Sequence, residues 1–174
     1  MRNQPALMRL LACVCLLLSW QATAAELPKG ILTLDGRQAP PLVLNNMDGE
    51  TWDLSEARGH WAFVHFWATW CGPCRREMPT IQAIFPQFDP AELEIVLINT
   101  AESEDTVFSF LASVAPDITP LMDEDGLVTE RWQPRGLPAT FFVDPEGKLR
   151  YLALGDREWN TPLYLDFIKH LIRQ

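Results

Sequence analysis

The stretch Trp61–Trp67 reads WAFVHFW and runs, four residues on, into Cys71-Gly72-Pro73-Cys74. An uncharged, aromatic-rich run of this length has the size of a strand. Apolar residues at successive positions, rather than alternate ones, mean that both of its faces are covered. Such a strand belongs in the middle of a sheet with other layers packed on it. After the cysteines, Met78, Ile81, Ile84 and Phe85 fall at helical spacing, so the cysteine pair sits where a buried strand gives way to a helix. Pro79 lies inside that helix and is expected to kink it.

The flanking sequence fills in the same architecture. Leu42-Val43-Leu44 and Thr51-Trp52-Asp53-Leu54 flank Asp48-Gly49 and read as a hairpin, with Ser55 as the cap of a short turn ending at Gly59. Glu94–Asn99 (EIVLIN) is a second buried strand. Ser103 caps a helix carrying Val107, Phe110, Leu111 and Val114. A short strand at Pro120–Met122 and a short helix at Leu127–Trp132 follow. Ala139–Val143 and Lys148–Leu154 are strands joined by the turn Asp144-Pro145-Glu146-Gly147. Thr161-Pro162 opens a last helix with Leu165, Ile168, Leu171 and Ile172 on one face. The expected fold class is α/β, with a central mixed sheet flanked by helices. The two buried strands joined by a helical crossover should be parallel.

Residues 1–25 read differently. Arg2 and Arg9 precede the apolar run Leu10–Ser19, and Ala22-Thr23-Ala24 has the small-x-small form of a cleavage site. This is the pattern of a secretory signal peptide, with an uncleaved N-terminal anchor as the alternative. Residues 26–39 are expected to be a linker and 40–174 the folded domain. Without the leader, 12 basic residues face 23 acidic ones, a net charge of −11. That balance argues against a nucleic-acid partner.

Cys13 and Cys15 would leave with the leader, so Cys71 and Cys74 would be the domain's only cysteines. A bridge closing so short a loop restrains the unfolded chain very little, which makes a structural staple a poor explanation. A redox pair explains the placement better. The N-terminus of a helix presents free N–H groups and the positive end of its dipole, and both favour a thiolate. Cys74, one turn further in, should be more buried. Access therefore assigns attack on a substrate disulfide to Cys71 and resolution of the mixed disulfide to Cys74. Gly72 and Pro73 are expected to ease the backbone into the helix and to tune the couple, Pro73 at a position where its missing N–H is not needed.

The motif as a whole, Trp67-Ala68-Thr69-Trp70-Cys71-Gly72-Pro73-Cys74 with Glu77, Pro79 and the later Gly136-Leu137-Pro138, resembles the thioredoxin family. Within that family it resembles the extracytoplasmic TlpA/ResA-like thiol–disulfide oxidoreductases, over most of the chain from about Pro40 to Ile172. The resemblance implies a thioredoxin-like fold with an N-terminal β-hairpin and an extra αβ insertion. It implies that Pro138 is a cis-proline facing the cysteines, and that Leu137 offers backbone hydrogen bonds to a bound substrate strand. It also makes Glu77, on the helical face of Cys74, an active-site acid that exchanges a proton with Cys74. The plain alternative for Glu77 is a solvated helix residue.

His65 departs from the family pattern, where this strand position carries aspartate or asparagine. It is either a hydrogen-bonded core histidine or a residue that tunes the Cys71 thiolate. Trp67 and Trp70 are expected to pack around the disulfide, Trp70 also touching substrate. Arg75 and Arg76 read as a solvated helix face.

The leading expectation is thus a monomeric extracytoplasmic disulfide reductase acting on protein thiols or disulfides. It would need no cofactor beyond the Cys71–Cys74 couple, and it would be supplied with electrons by a membrane protein. Two other readings stay open. One is a thiol peroxidase in which Cys71 passes through a sulfenic acid. The other is a metal carrier using Cys71, Cys74 and His65 or His60, although zinc sites usually need four ligands and no resident metal is expected.

Overall fold

The computed structural model describes residues 27–173, so the expected leader lies outside the described residues. Among the described residues the strands are β1 (Ile31–Thr33), β2 (Val43–Asn45), β3 (Thr51–Asp53), β4 (Trp61–Trp67), β5 (Leu93–Thr100), β6 (Leu121–Asp123), β7 (Ala139–Val143) and β8 (Leu149–Leu154). The α-helices are α1 (Gly72–Gln82), α2 (Glu104–Val114), α3 (Leu127–Trp132) and α4 (Pro162–Leu171). Six strands form one mixed sheet in the order β1-β8-β7-β4-β5-β6, and β2 and β3 form the expected hairpin beside it.

The apolar run is β4, and all seven of its residues are buried. It pairs in parallel with β5 and antiparallel with β7. Alternation along the strand sorts its side chains between two cores. Trp61, Phe63 and Trp67 join Met78 and Ile81 of α1, Phe110 and Leu111 of α2, and Phe167 and Ile168 of α4. Ala62, Val64 and Phe66 join Leu42, Leu54, Phe141 and the α3 residues Val128 and Trp132 on the opposite face. His65 shares its parity with Phe63 and Trp67, so the strand directs it towards the α1 side of the sheet.

Several local expectations are corrected. The expected linker at 26–39 contributes β1, whose register sets Ile31 opposite Ala153 on β8 and whose Ile31 side chain enters the core. Three residues are too few to display a period, and this strand exists only because β8 offers an edge. Asp53, not Ser55, caps the turn at Leu54–Ala57: its carboxylate accepts from the Ser55 N–H, and Glu56 reaches back to the Asp53 N–H in a capping box. Ser103 and Thr161 occupy N-cap positions without making a side-chain cap bond. Their hydroxyls are engaged elsewhere, Ser103 with Thr106 Oγ1 at 3.0 Å and Thr161 with the Glu158 carbonyl at 2.8 Å. α1 contains Pro79 as expected but ends at Gln82, before Ile84 and Phe85. The start of α3 is held by buried Asp123, which accepts from Val128 N–H at 3.0 Å, Thr129 N–H at 2.7 Å and the Thr129 hydroxyl at 2.6 Å.

Phe63 is the aromatic centre of the α1-side core. Its ring meets Phe142 edge-on at 5.4 Å and Trp159 at 4.8 Å. Replacing it with alanine removes a fully buried ring from a strand that cannot move, so Phe63→Ala is expected to lower unfolding stability by about 3–5 kcal/mol, measured by urea denaturation of the oxidised protein.

Candidate active site

Where β4 ends, the chain makes one turn before the helix begins. The Cys71 N–H donates to the Ala68 carbonyl at 3.3 Å, closing a turn with Thr69 and Trp70 at its centre. Cys71 is the N-cap of α1, in extended conformation, and is joined by a disulfide to Cys74. Its Sγ accepts from the Cys74 N–H at 3.3 Å, as a capping oxygen does elsewhere. The expected difference in access is present: Cys71 retains 5% of its surface, whereas Cys74 is fully buried.

Pro73 lies in the first turn of the helix. Gly72 is not required by the backbone, because its φ lies outside the left-handed region and an added Cβ would meet nothing nearer than Arg76 Nη1 at 4.0 Å.

The two tryptophans separate. Trp67 is buried against Phe110, with ring centroids 5.7 Å apart, as expected of a residue packed under the motif. Trp70, expected to pack around the disulfide, is 68% exposed. Arg75 is exposed but not simply solvated. Its guanidinium lies 4.9 Å from the Phe110 ring centroid and donates to the Thr69 carbonyl at 3.2 Å. Arg76 pairs with Asp156 at 3.0 Å.

Glu77 is buried, not solvated, at 2% exposure. One carboxylate oxygen, Oε2, accepts from the Arg157 backbone N–H at 2.9 Å and from the Trp159 indole N–H at 3.2 Å. The other, Oε1, lies 3.1 Å from His65 Nε2. That distance is an ion pair's, but the ring N–H is poorly directed for a hydrogen bond, and neither atom has another partner among the described residues. His65 Nδ1 lies 2.8 Å from Thr140 Oγ1, the residue directly opposite it on β7. A linked chain therefore runs Thr140–His65–Glu77–Trp159, with Glu77 one helical turn after Cys74. A cleft of about 460 Å³ lined by Arg76, Glu77, Thr80, Asp156, Arg157 and Asn160 opens onto it. His60, the other histidine considered as a ligand, is beside Glu94 at 3.5 Å.

The Leu137–Pro138 peptide is cis, and β7 starts one residue later. Ala139 pairs with Phe66, so one further step of the register brings Pro138 alongside Trp67, at the end of the sheet where Cys71 stands. Pro138 is buried and Leu137 half-buried. The Pro138 carbonyl accepts from the Gly155 N–H at 2.9 Å, and the same loop supplies Arg157 and Trp159 to Glu77. Trp159, Arg157 and Thr140 gave no sequence signal as site residues. Trp159 follows Glu77 by 82 positions, and nothing local marks it as a partner.

A helix opening on a cysteine disulfide, beside a cis-proline loop on a mixed six-stranded sheet, defines a thioredoxin-like thiol–disulfide protein. The profile of the AhpC/TSA family matches residues 36–152, and the chain belongs to that family. It is 34% identical over 121 residues to thiol-disulfide oxidoreductase ResA of Bacillus subtilis, covering 70% of this chain and 68% of that protein. It is 32% identical over 120 residues to ResA of Geobacillus thermodenitrificans, covering 69% of each. A crystal structure assigned as a thiol:disulfide interchange protein DsbE from Chlorobium tepidum superposes with a TM-score of 0.71 at 26% identity, covering 81% of this chain and 99% of that one. The chain is an enzyme, a thiol–disulfide oxidoreductase of ResA/DsbE type.

Removing the Glu77 carboxylate strips the Arg157 N–H and the Trp159 indole of their acceptor inside the protein. Glu77→Ala is expected to lower stability by about 3 kcal/mol, with Glu77→Gln losing less because its amide oxygen still accepts; urea denaturation followed by tryptophan fluorescence measures both.

Proposed function

We propose that the enzyme works as a disulfide reductase on protein substrates outside the cytoplasmic membrane. The observation that carries this is the unequal access of the two sulfurs, with Cys71 at the helix N-terminus and Cys74 sealed beneath it. In the reduced enzyme the Cys71 thiolate, stabilised by the N–H groups and dipole of α1, attacks one sulfur of a substrate disulfide. A Cys71–substrate disulfide forms and the other substrate sulfur leaves as a thiolate. Cys74 gives up its proton, attacks Cys71 Sγ and releases the second substrate thiolate. The substrate gains two electrons and the enzyme is left with the Cys71–Cys74 disulfide.

Glu77 is the acceptor for the Cys74 proton. Oε2 already receives two N–H donors, so Oε1, beside His65 Nε2, is the oxygen free to take it. Leu137 and Pro138 bind the substrate strand, and Trp70, projecting from the turn, covers the apolar side of the scissile disulfide. A dithiol-bearing membrane protein returns the enzyme to its reduced form, and the enzyme acts as a monomer. The leader pattern in residues 1–25 supports the location. Among the described residues no helix is long and apolar enough to cross a membrane.

Direction is decided by potential. Glycine and proline between the cysteines are the pair found in thioredoxin, so equilibrium titration of Cys71–Cys74 followed by tryptophan fluorescence is expected to give about −270 mV, whereas a value near about −120 mV makes the enzyme an oxidant. His65→Asn is expected to shift the pH at which Cys71 becomes reactive towards iodoacetamide. An unchanged profile reduces His65 to a core residue.

A further inference from the structure

Thr69 is the second residue of the turn that delivers Cys71 to α1, and each of its polar atoms is held from outside that turn. Its N–H donates to Glu102 Oε2 at 2.7 Å, and its hydroxyl donates to Glu102 Oε1. Its carbonyl accepts from Arg75 Nη1 at 3.2 Å. Glu102 Oε2 also accepts from Asn99 Nδ2 at 2.8 Å, and Asn99 is fully buried near the end of β5. Ala101, just before Glu102, has φ +56°, a left-handed conformation that alanine rarely adopts. Such a conformation persists only where the surroundings hold it, and here the Ala101 N–H donates to the Asp123 carbonyl at 2.9 Å. The strained residue directs the Glu102 side chain back across the sheet end onto Thr69.

The turn has little else to fasten it. Trp70 is exposed and Gly72 has no side chain, so between buried Ala68 and the sulfur the segment is anchored through Thr69. A carboxylate accepting from a buried N–H and a hydroxyl together is a stronger anchor than a neutral acceptor. We propose that Glu102 is the positioning residue for Cys71: its carboxylate holds the Ala68–Cys71 turn so that the sulfur is seated at the helix N-terminus and Trp70 projects at the rim. Glu102 does not touch the reacting atoms. It acts through the turn, and in-line attack on a disulfide is sensitive to displacements of that turn.

The proposal rests on Cys71 being the attacking cysteine, and the test separates the two. The reduced full-length chain is alkylated with iodoacetamide across pH, with the labelled residue identified by peptide mapping, and kcat and KM are measured for insulin reduction. Glu102→Ala is expected to shift the alkylation pH profile and to lower kcat/KM about tenfold. Glu102→Gln, whose amide oxygen can accept from the Thr69 N–H and whose amide nitrogen can donate to the Thr69 hydroxyl, is expected to recover to within about threefold of wild type. Thr69→Val, which keeps the N–H and loses the hydroxyl, is expected to fall between, at about a threefold loss, and it decides the matter should Glu102→Ala not fold. Unchanged profile and kcat/KM in Glu102→Ala or in Thr69→Val overturns the proposal. So does a Glu102→Gln enzyme as impaired as Glu102→Ala, since charge and not position would then matter. First labelling at Cys74 in wild type overturns the attack assignment, and this proposal with it; labelling at Cys71 with an unresponsive Glu102→Ala overturns the proposal alone.

Discussion

The contact between His65 and Glu77 is the constraint around which the site is arranged. Strand β4 is covered on both faces, so a polar side chain within it has no water to satisfy it and must find protein partners. His65 finds Thr140 across the strand pair and Glu77 from the helix above. Glu77, buried in turn, requires donors, and those come from the loop after β8 at Arg157 and Trp159. The partners come from different elements, while His65 Nε2 and Glu77 Oε1, 3.1 Å apart, have no hydrogen bond among the described residues. The result ties the centre of the sheet, the active-site helix and the C-terminal loop into one network, and the cysteines sit at its edge.

That network differs in character from the apolar packing around it. Phe63, Phe142 and Trp159 form edge-to-face contacts that are tolerant of small shifts and contribute through area. The polar chain through Glu77 is directional and depends on where each donor and acceptor is placed. A fold under selection for stability alone would place leucine at 77. A buried carboxylate one turn after Cys74 is in keeping with the proton transfer proposed for it.

The segment carrying the reactive sulfur is built on an opposite principle. Cys71 retains 5% of its surface, Trp70 faces solvent, and the turn from Ala68 to Cys71 has one internal hydrogen bond. Of this segment only Trp70 is exposed, and Glu102 and Arg75 grip Thr69 from outside the turn. Access and rigidity are thereby assigned to different residues.

Much of this was legible in the chain itself. The unbroken apolar run announced a central strand, the glycine–proline spacing between the cysteines announced a redox pair at a helix start, and Leu137-Pro138 pointed to the loop beside it. The first two signals are local, depending on side-chain periods of 2 and 3.6 residues and on the torsions of proline, whereas the place of Leu137-Pro138 came from the resemblance to the thioredoxin family. Parity along β4 groups His65 with Phe63 and Trp67, but which helix covers that face is decided by the fold. What the tertiary structure decided was everything that joins distant segments. The burial of Glu77 depends on a loop 80 residues away closing over it, the clamp on Thr69 on a carboxylate 33 residues on, and β1 on an edge offered by β8. Nothing in the neighbourhood of those residues encodes their partners, because which loops meet is set by how the sheet is ordered and how the helices cover it.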